Sequence, residues 1–120
     1  MSQSDLTYEI IGAAMEIHRE LGSGLRESPY ENALRNELRI RGHHVEQQKP
    51  WPILYKEAVA GDCITDLVVN GEVVVEIKAI DSLGASEEAQ ILDYLKISEV
   101  RLGLLLNFKP ASPKVRRLAL

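Results

Sequence analysis

Residues 63–80, CITDLVVNGEVVVEIKAI, decide the fold. Two valine-rich runs, 64–69 and 72–79, flank the dipeptide Asn70-Gly71, and this arrangement is a strong signal for a β-hairpin. Both faces of the two strands are largely apolar, which is typical of strands inside a sheet that is covered by helices. The hairpin is therefore expected at the centre of the fold.

Apart from Glu72 beside the turn, three charged residues interrupt the hairpin: Asp66 in its first strand, and Glu76 and Lys78 in its second. Glu76 and Lys78 are two apart on a strand, so their side chains project from the same face. A carboxylate or an ammonium group among valines costs free energy unless it is paired, hydrated or bound to a metal. A single interruption would be explained by an ion pair with Lys78, whereas three in one hairpin favour a functional site.

The length of the hairpin loop decides whether the two acidic side chains meet. A two-residue loop, Asn70-Gly71, would place Asp66 opposite Val75 and would leave Glu76 on the other face. A three-residue loop that includes Glu72, or a bulge of odd count, would place Asp66 opposite Glu76. A metal site therefore requires the odd loop or the bulge.

If the carboxylates converge, their hard oxygen atoms suit Mg²⁺ or Mn²⁺ rather than zinc. The backbone carbonyl of Ile77 is a further candidate ligand. With such an ion bound, a phosphodiester would be polarised and a water would lose its proton more easily, while Lys78 would orient that water or steady developing charge. The predicted reaction is the in-line hydrolysis of a phosphodiester.

Two helices and an edge strand are predicted before the hairpin. Apolar residues at spacings of three and four predict a helix over 6–21. A second helix is expected from Ser28, with Ser28 as its cap, Pro29 in its first turn and Glu31 completing a capping box. Pro50 and Pro52 limit residues 44–55 to an edge strand or two short pieces.

A third helix and one more strand are predicted after the hairpin. The helix opens at 86–88, and its core stripe would consist of three apolar residues, Ala89, Leu92 and Leu95. Residues 102–106 predict a buried strand that can add in parallel, and 109–120 read as a basic, proline-containing tail. The resulting fold class is α/β, with an α-β-β-β-α-β core, a mixed sheet flanked by helices and an extra N-terminal helix.

Length and composition bound the remaining choices. The 120 residues predict a single domain over 1–120, and 45% of them are hydrophobic, which is enough for a core. No membrane span or secretion signal is evident, and the lone Cys63 cannot form an intrachain disulfide, so a cytoplasmic protein is expected. The net charge of −4 disfavours nonspecific coating of nucleic acid but allows an enzyme with a local basic rim.

The charged pattern resembles the PD-(D/E)XK nuclease superfamily, whose common core is α-β-β-β-α-β. The matching residues are Asp66, then Glu76-x-Lys78, then Gln90 and Tyr94 on the following helix. The match extends to the small GxxExxY family within it through 24–30, GLRESPY, and through four flanking segments: 11–14, 18–22, Gln48-Lys49-Pro50 and 103–108. Thr65 stands where the superfamily name has proline.

The resemblance implies a metal-dependent nuclease that acts on nucleic acid, with DNA preferred. It implies that Asp66, Glu76 and Lys78 are catalytic. The metal would be bound by Asp66, Glu76 and Ile77, joined by Glu27 or Glu31. Gln90 and Tyr94 would contact DNA or the site. A non-catalytic module that binds nucleic acid or protein, for example as a homodimer, is the alternative. A small-molecule phosphoesterase is a third.

The remaining polar and aromatic residues have less specific patterns. Tyr30 is expected in the core, and His18 is expected to be a partly exposed helix residue. The tail contains a basic cluster, which consists of Lys109, Lys114, Arg116 and Arg117. This cluster fits a contact with nucleic acid and an ordinary solvated surface equally well.

Overall fold

Residues 2–120, which are described by a computed structural model, form three helices and five strands. In chain order these are α1 (Gln3–Leu21), α2 (Glu27–Ile40), β1 (Val45–Tyr55), β2 (Ala58–Val69), β3 (Val73–Lys78), α3 (Ala85–Ser98), β4 (Leu102–Asn107) and β5 (Lys114–Ala119). The strands lie in the order β1-β2-β3-β4-β5, with β3 and β4 parallel and all other neighbours antiparallel. The mixed sheet of an α/β fold is thereby confirmed, and no helix of residues 2–120 is long and apolar enough to cross a membrane.

Helices cover both faces of the central strands. Alternate residues of β3, including Val75 and Ile77, pack in one cluster with the apolar stripes of α1 and α2. Val74 faces the other way and packs with Leu95 of α3. Strand β3 is buried from Val73 to Ile77, so any polar group along it must find its partners locally.

The start of α2 differs from the sequence-based prediction. The helix begins at Glu27 with Arg26 as its cap, so Ser28 is not the capping residue and Glu31 does not complete a capping box. Pro29 is tolerated because it lies in the first turn, where backbone N–H groups have no partner within the helix. Glu31 is consequently free to turn towards the sheet.

The predicted basic tail contains a strand that the sequence did not reveal. Strand β5 pairs antiparallel with β4 at the edge of the sheet. Only Val115 and Leu118 of its six residues are partly buried, and the others are exposed. Charged residues are common on edge strands because they discourage pairing with other chains. Their abundance here hid the alternation that would have predicted a strand.

The stripe of α3 that faces the sheet is also different from the predicted one. Ile91 and Leu95 are buried, Leu92 is half-buried, and Ala89 is exposed. Gly103 of β4 allows this close approach, since a Cβ built there would lie 2.7 Å from Cδ1 of Ile91. Helix α3 therefore rests on a strand position that has no side chain.

Gly103→Val is expected to destabilise the protein by about 1–3 kcal/mol, because the added methyl groups would overpack the contact with Ile91. Urea denaturation measures the change. Gly61→Val is the matched control, since Gly61 is exposed and a Cβ added there would meet nothing within 4 Å. Equal losses in both variants would contradict the close approach of α3.

An aromatic stack closes the end of the core between α1, α2 and the residue after β4. Tyr30 is fully buried, as predicted, and its ring stacks on Phe108 with centroids 4.6 Å apart. The prediction for His18 was wrong, because this residue is buried beside the same stack. Its Nε2 lies 3.0 Å from the carbonyl oxygens of Phe108 and Pro110, so Nε2 carries the proton. His18 is thus a structural residue.

Candidate functional site

Strands β2 and β3 separate at the point where the acidic residues lie. Their ladder has three pairs, Leu67↔Val75, Val68↔Val74 and Val69↔Val73. The loop between them therefore has three residues, of which Asn70 and Gly71 have positive φ angles of 53° and 66°. This odd loop brings Asp66 level with Glu76, as a metal site requires.

Two reciprocal hydrogen bonds connect the strands across the gap. The backbone N–H of Asp66 donates to Oε2 of Glu76 at 2.7 Å. The backbone N–H of Ile77 donates to Oδ2 of Asp66 at 2.8 Å. The two carboxylates thus replace the ladder bonds of the separating strands, and this fixes both side chains in the gap.

The two carboxylates occupy an electrostatically unfavourable position. Glu76 is 4% exposed, and its burial, with a further contribution from the charge of Asp66, raises its pKa to about 8. Burial also raises the pKa of Asp66, and the nearby charge of Glu31 adds to that effect. Lys78 opposes both shifts without cancelling them. A bound cation would relieve this repulsion.

Helix α2 contributes two further carboxylates at different places. Glu31 is 7% exposed, and its Oε2 accepts hydrogen bonds from the amide groups of Gln47 and Gln48 at 2.7 and 2.8 Å. Oε2 of Glu27 lies 3.4 Å from the backbone nitrogen of Ala79, just after β3. Glu31 thus approaches Asp66, whereas Glu27 approaches the end of β3.

Gln48 joins the carboxylate of α2 to the hairpin. Its Nε2 donates to Glu31 and, at 3.2 Å, to Oδ1 of Asp66. Its φ angle is 51°, and the β1–β2 ladder passes from Gln47↔Leu67 to Lys49↔Thr65 without a pair between them. No role was predicted for Gln48, although its tripeptide was part of the resemblance.

Helix α3 lies against the third charged residue of the hairpin. Nζ of Lys78 donates to Oε1 of Gln90 at 2.9 Å. Tyr94, one turn further along α3, is half-buried; its burial and then the charge of Glu76 raise the pKa of its hydroxyl. Gln90 and Tyr94 therefore lie beside the hairpin's charged residues rather than on a remote surface.

The donor atoms fit a hard divalent cation. In the part of the chain that the structure describes, no three His, Cys, Asp or Glu side chains form a group that could hold an ion by themselves. Mg²⁺, however, needs only one or two carboxylates, because waters and substrate oxygens complete its coordination. Asp66 and Glu76 supply these two, and each is held by a backbone N–H of the facing strand through one of its carboxylate oxygens.

Comparison with known protein families gives a match over most of the chain. The family model of the PD-(D/E)XK nuclease superfamily matches residues 4–118. No curated protein and no solved structure matches the chain. The family match covers nearly the whole sequence, from the first turn of α1 through the hairpin and α3 into β5. The chain belongs to the PD-(D/E)XK nuclease superfamily.

Proposed function

We propose that the chain is a single-domain, divalent-metal-dependent nuclease that hydrolyses phosphodiester bonds of DNA. The observation that carries this proposal is the contact of Asp66 and Glu76 in the gap between β2 and β3, with Lys78 two residues further along β3. The spacing of Gly24, Glu27 and Tyr30 supports membership of the GxxExxY group. The half-buried lone Cys63 fits a reducing compartment such as the cytoplasm.

Asp66, Glu76 and the carbonyl of Ile77 would hold Mg²⁺ or Mn²⁺. Glu31 would join them, since Gln48 already connects it to Asp66; Glu27 is the alternative. When bound, the ion supplies Lewis-acid polarisation of the phosphodiester and lowers the pKa of the attacking water.

Lys78, Gln90 and Tyr94 would act on the substrate. The ammonium group of Lys78 steadies the negative charge that develops at the phosphate, and Gln90 holds this group in place. Gln90 accepts through its oxygen, so its amide N–H groups can donate to a phosphate. The hydroxyl of Tyr94 is protonated at neutral pH and can donate as well, and burial raises its pKa further.

A non-catalytic interaction module is the second candidate. Three large apolar side chains near the β1–β2 turn are strongly exposed: Leu54, Tyr55 and Val59 at 61%, 67% and 70%. Exposed apolar groups of this kind are typical of protein contacts, including contacts within a homodimer. The net charge of −4 also fits a protein partner better than nucleic acid.

Binding of Mn²⁺ separates the two candidates. Millimolar Mn²⁺ is expected to raise the melting temperature of the protein, because a ligand that binds only the folded state stabilises it. The same protein with Mn²⁺ should cleave single-stranded or duplex DNA. Asp66→Asn keeps the size of the side chain but removes its charge, and it should lose both the thermal shift and the cleavage.

Two outcomes would contradict the nuclease. If the melting temperature does not change at any Mn²⁺ concentration, the nuclease is rejected and the interaction module is the remaining candidate. Hydrolysis of bis(p-nitrophenyl) phosphate without cleavage of DNA or RNA would indicate a small-molecule phosphoesterase that uses the same site.

A further inference from the structure

The register of the sheet places three polar residues in one row. Lys78 of β3 pairs with Asn107 of β4, and Asn107 pairs with Lys114 of β5. Paired residues project from the same face of a sheet, so Lys114 lies on the face of Lys78. Two strand spacings separate them, which is about 10 Å. Arg116 occupies the same face of β5 in the neighbouring row, which begins at Glu76.

A surface cavity of about 520 Å³ lies at the end of the row that contains Asn107 and Lys114. Its lining includes Asn107, the two basic residues Lys114 and Arg116, and the acidic Asp81. Asn107 is fully buried and binds both backbone groups of Ile80: it accepts from the N–H at 3.0 Å and donates to the carbonyl at 2.9 Å. The loop after β3 is thereby fixed, so one wall of the cavity is preformed.

The charge of the cavity is opposite to that of the whole chain, which carries −4. Lys114 forms no ion pair within residues 2–120. Arg116 is paired with Glu88 at 2.9 Å, and the one acidic lining residue, Asp81, is paired with Lys109 at 2.8 Å. Exposed ion pairs such as these contribute little to stability, so Arg116 can exchange its partner at low cost.

We propose that this cavity binds a backbone phosphate of the nucleic acid, one or two nucleotides from the scissile phosphodiester, through Lys114 and Arg116. The proposal rests on the proposed nuclease function, which places the scissile phosphate beside Lys78. Lys and Arg are the side chains that bind phosphate most strongly, and Arg can do so with two parallel hydrogen bonds. A second anchored phosphate would fix the direction in which the strand crosses the site.

Binding is measured on a background that cannot cleave, Asp66→Asn, with a fluorescent single-stranded DNA of about 20 nucleotides and with its duplex. Adding Lys114→Ala or Arg116→Ala is expected to raise the Kd roughly 5- to 20-fold, the loss of one charge-assisted contact. Each change should also lower the slope of log Kd against log salt by about one. Arg117→Ala is the matched control, since Arg117 pairs with Leu104 and so projects from the opposite face of β5.

In the cleaving protein, Lys114→Ala should raise KM and leave kcat within about twofold. If Lys114→Ala and Arg117→Ala raise Kd equally, the attraction is nonspecific and the proposed phosphate site is wrong. The site is also wrong if neither change alters Kd. The thermal shift with Mn²⁺, measured on the protein with Asp66 intact, shows whether the nuclease proposal fails as well. If Mn²⁺ raises the melting temperature but Lys114→Ala has no effect, only the phosphate site is rejected; if Mn²⁺ does not raise it, the nuclease is rejected.

Discussion

Glu76→Gln is expected to abolish Mn²⁺-dependent cleavage and, in metal-free buffer, to stabilise the protein at alkaline pH. If Glu76 holds the metal ion as proposed, loss of its charge should lower kcat/KM by on the order of 10³-fold. The gain in stability has a separate cause. The buried carboxyl of Glu76 has a pKa of about 8 in the folded protein, compared with an ordinary value of 4.5.

The sign of the pH dependence follows from these two values. Between about pH 4.5 and pH 8 the folded state keeps the proton of Glu76, whereas the unfolded chain releases it. The unfolded state then binds fewer protons, so the free energy of unfolding falls as the pH rises through this window. By about pH 8 the free energy of unfolding should have fallen by a few kcal/mol. The neutral amide introduced by Glu76→Gln does not titrate, so this variant should not lose this stability.

Urea denaturation with EDTA at about pH 5 and about pH 9 measures this difference. Glu72→Gln is the matched control, because it makes the same chemical change at an exposed position four residues away. It should alter neither cleavage nor the slope of stability against pH. If Glu76→Gln retained cleavage, or lost stability with pH as steeply as the unchanged protein, the proposed site would be wrong.

Tyr30→Ala is expected to destabilise the protein by about 3–5 kcal/mol, because it removes a large side chain from a core that cannot refill the space. Tyr30 is fully buried and stacks on Phe108. Its hydroxyl donates to the carbonyl of Gly22 and accepts from the N–H of Leu25 at 3.2 Å, which ties down the segment before α2. That segment leads directly into α2, the helix that carries Glu31.

Thermal and urea denaturation of three variants test this. Tyr8→Ala is the control, since Tyr8 is 81% exposed on α1 and its removal should change the free energy of unfolding by less than about 0.5 kcal/mol. Tyr30→Phe keeps the ring and should cost about 1–2 kcal/mol for the lost hydrogen bonds. A Tyr30→Ala variant as stable as Tyr8→Ala would rule out a structural role for this residue.

The hairpin could be predicted from the sequence because its signals are local. Asn70-Gly71 between valine runs predicts the turn, and the spacing of Glu76 and Lys78 predicts a shared face. Whether the loop has two or three residues depends on which pairs the rest of the sheet stabilises. The sequence could therefore state the two alternatives for Asp66 but not choose between them.

Features that depend on distant contacts were predicted less well. The position of Glu31 depends on its bonds to Gln47 and Gln48, which a capping pattern within α2 does not contain. His18 is buried because Phe108 and Pro110, ninety or more residues away, offer it carbonyl groups. Such partners cannot be read from helical spacing alone.

The number of residues in the turn between β2 and β3 is more tightly constrained than their identity. Strand pairing depends on how many residues intervene and hardly on which side chains they carry, provided that Asn70 and Gly71 can adopt positive φ. Exchange of Glu72 for another residue would leave the pairing intact. A one-residue insertion or deletion there would instead rotate the facing carboxylates onto opposite sides of the sheet. Among homologues, drift in the identity of this residue should be frequent, and single-residue indels should be rare.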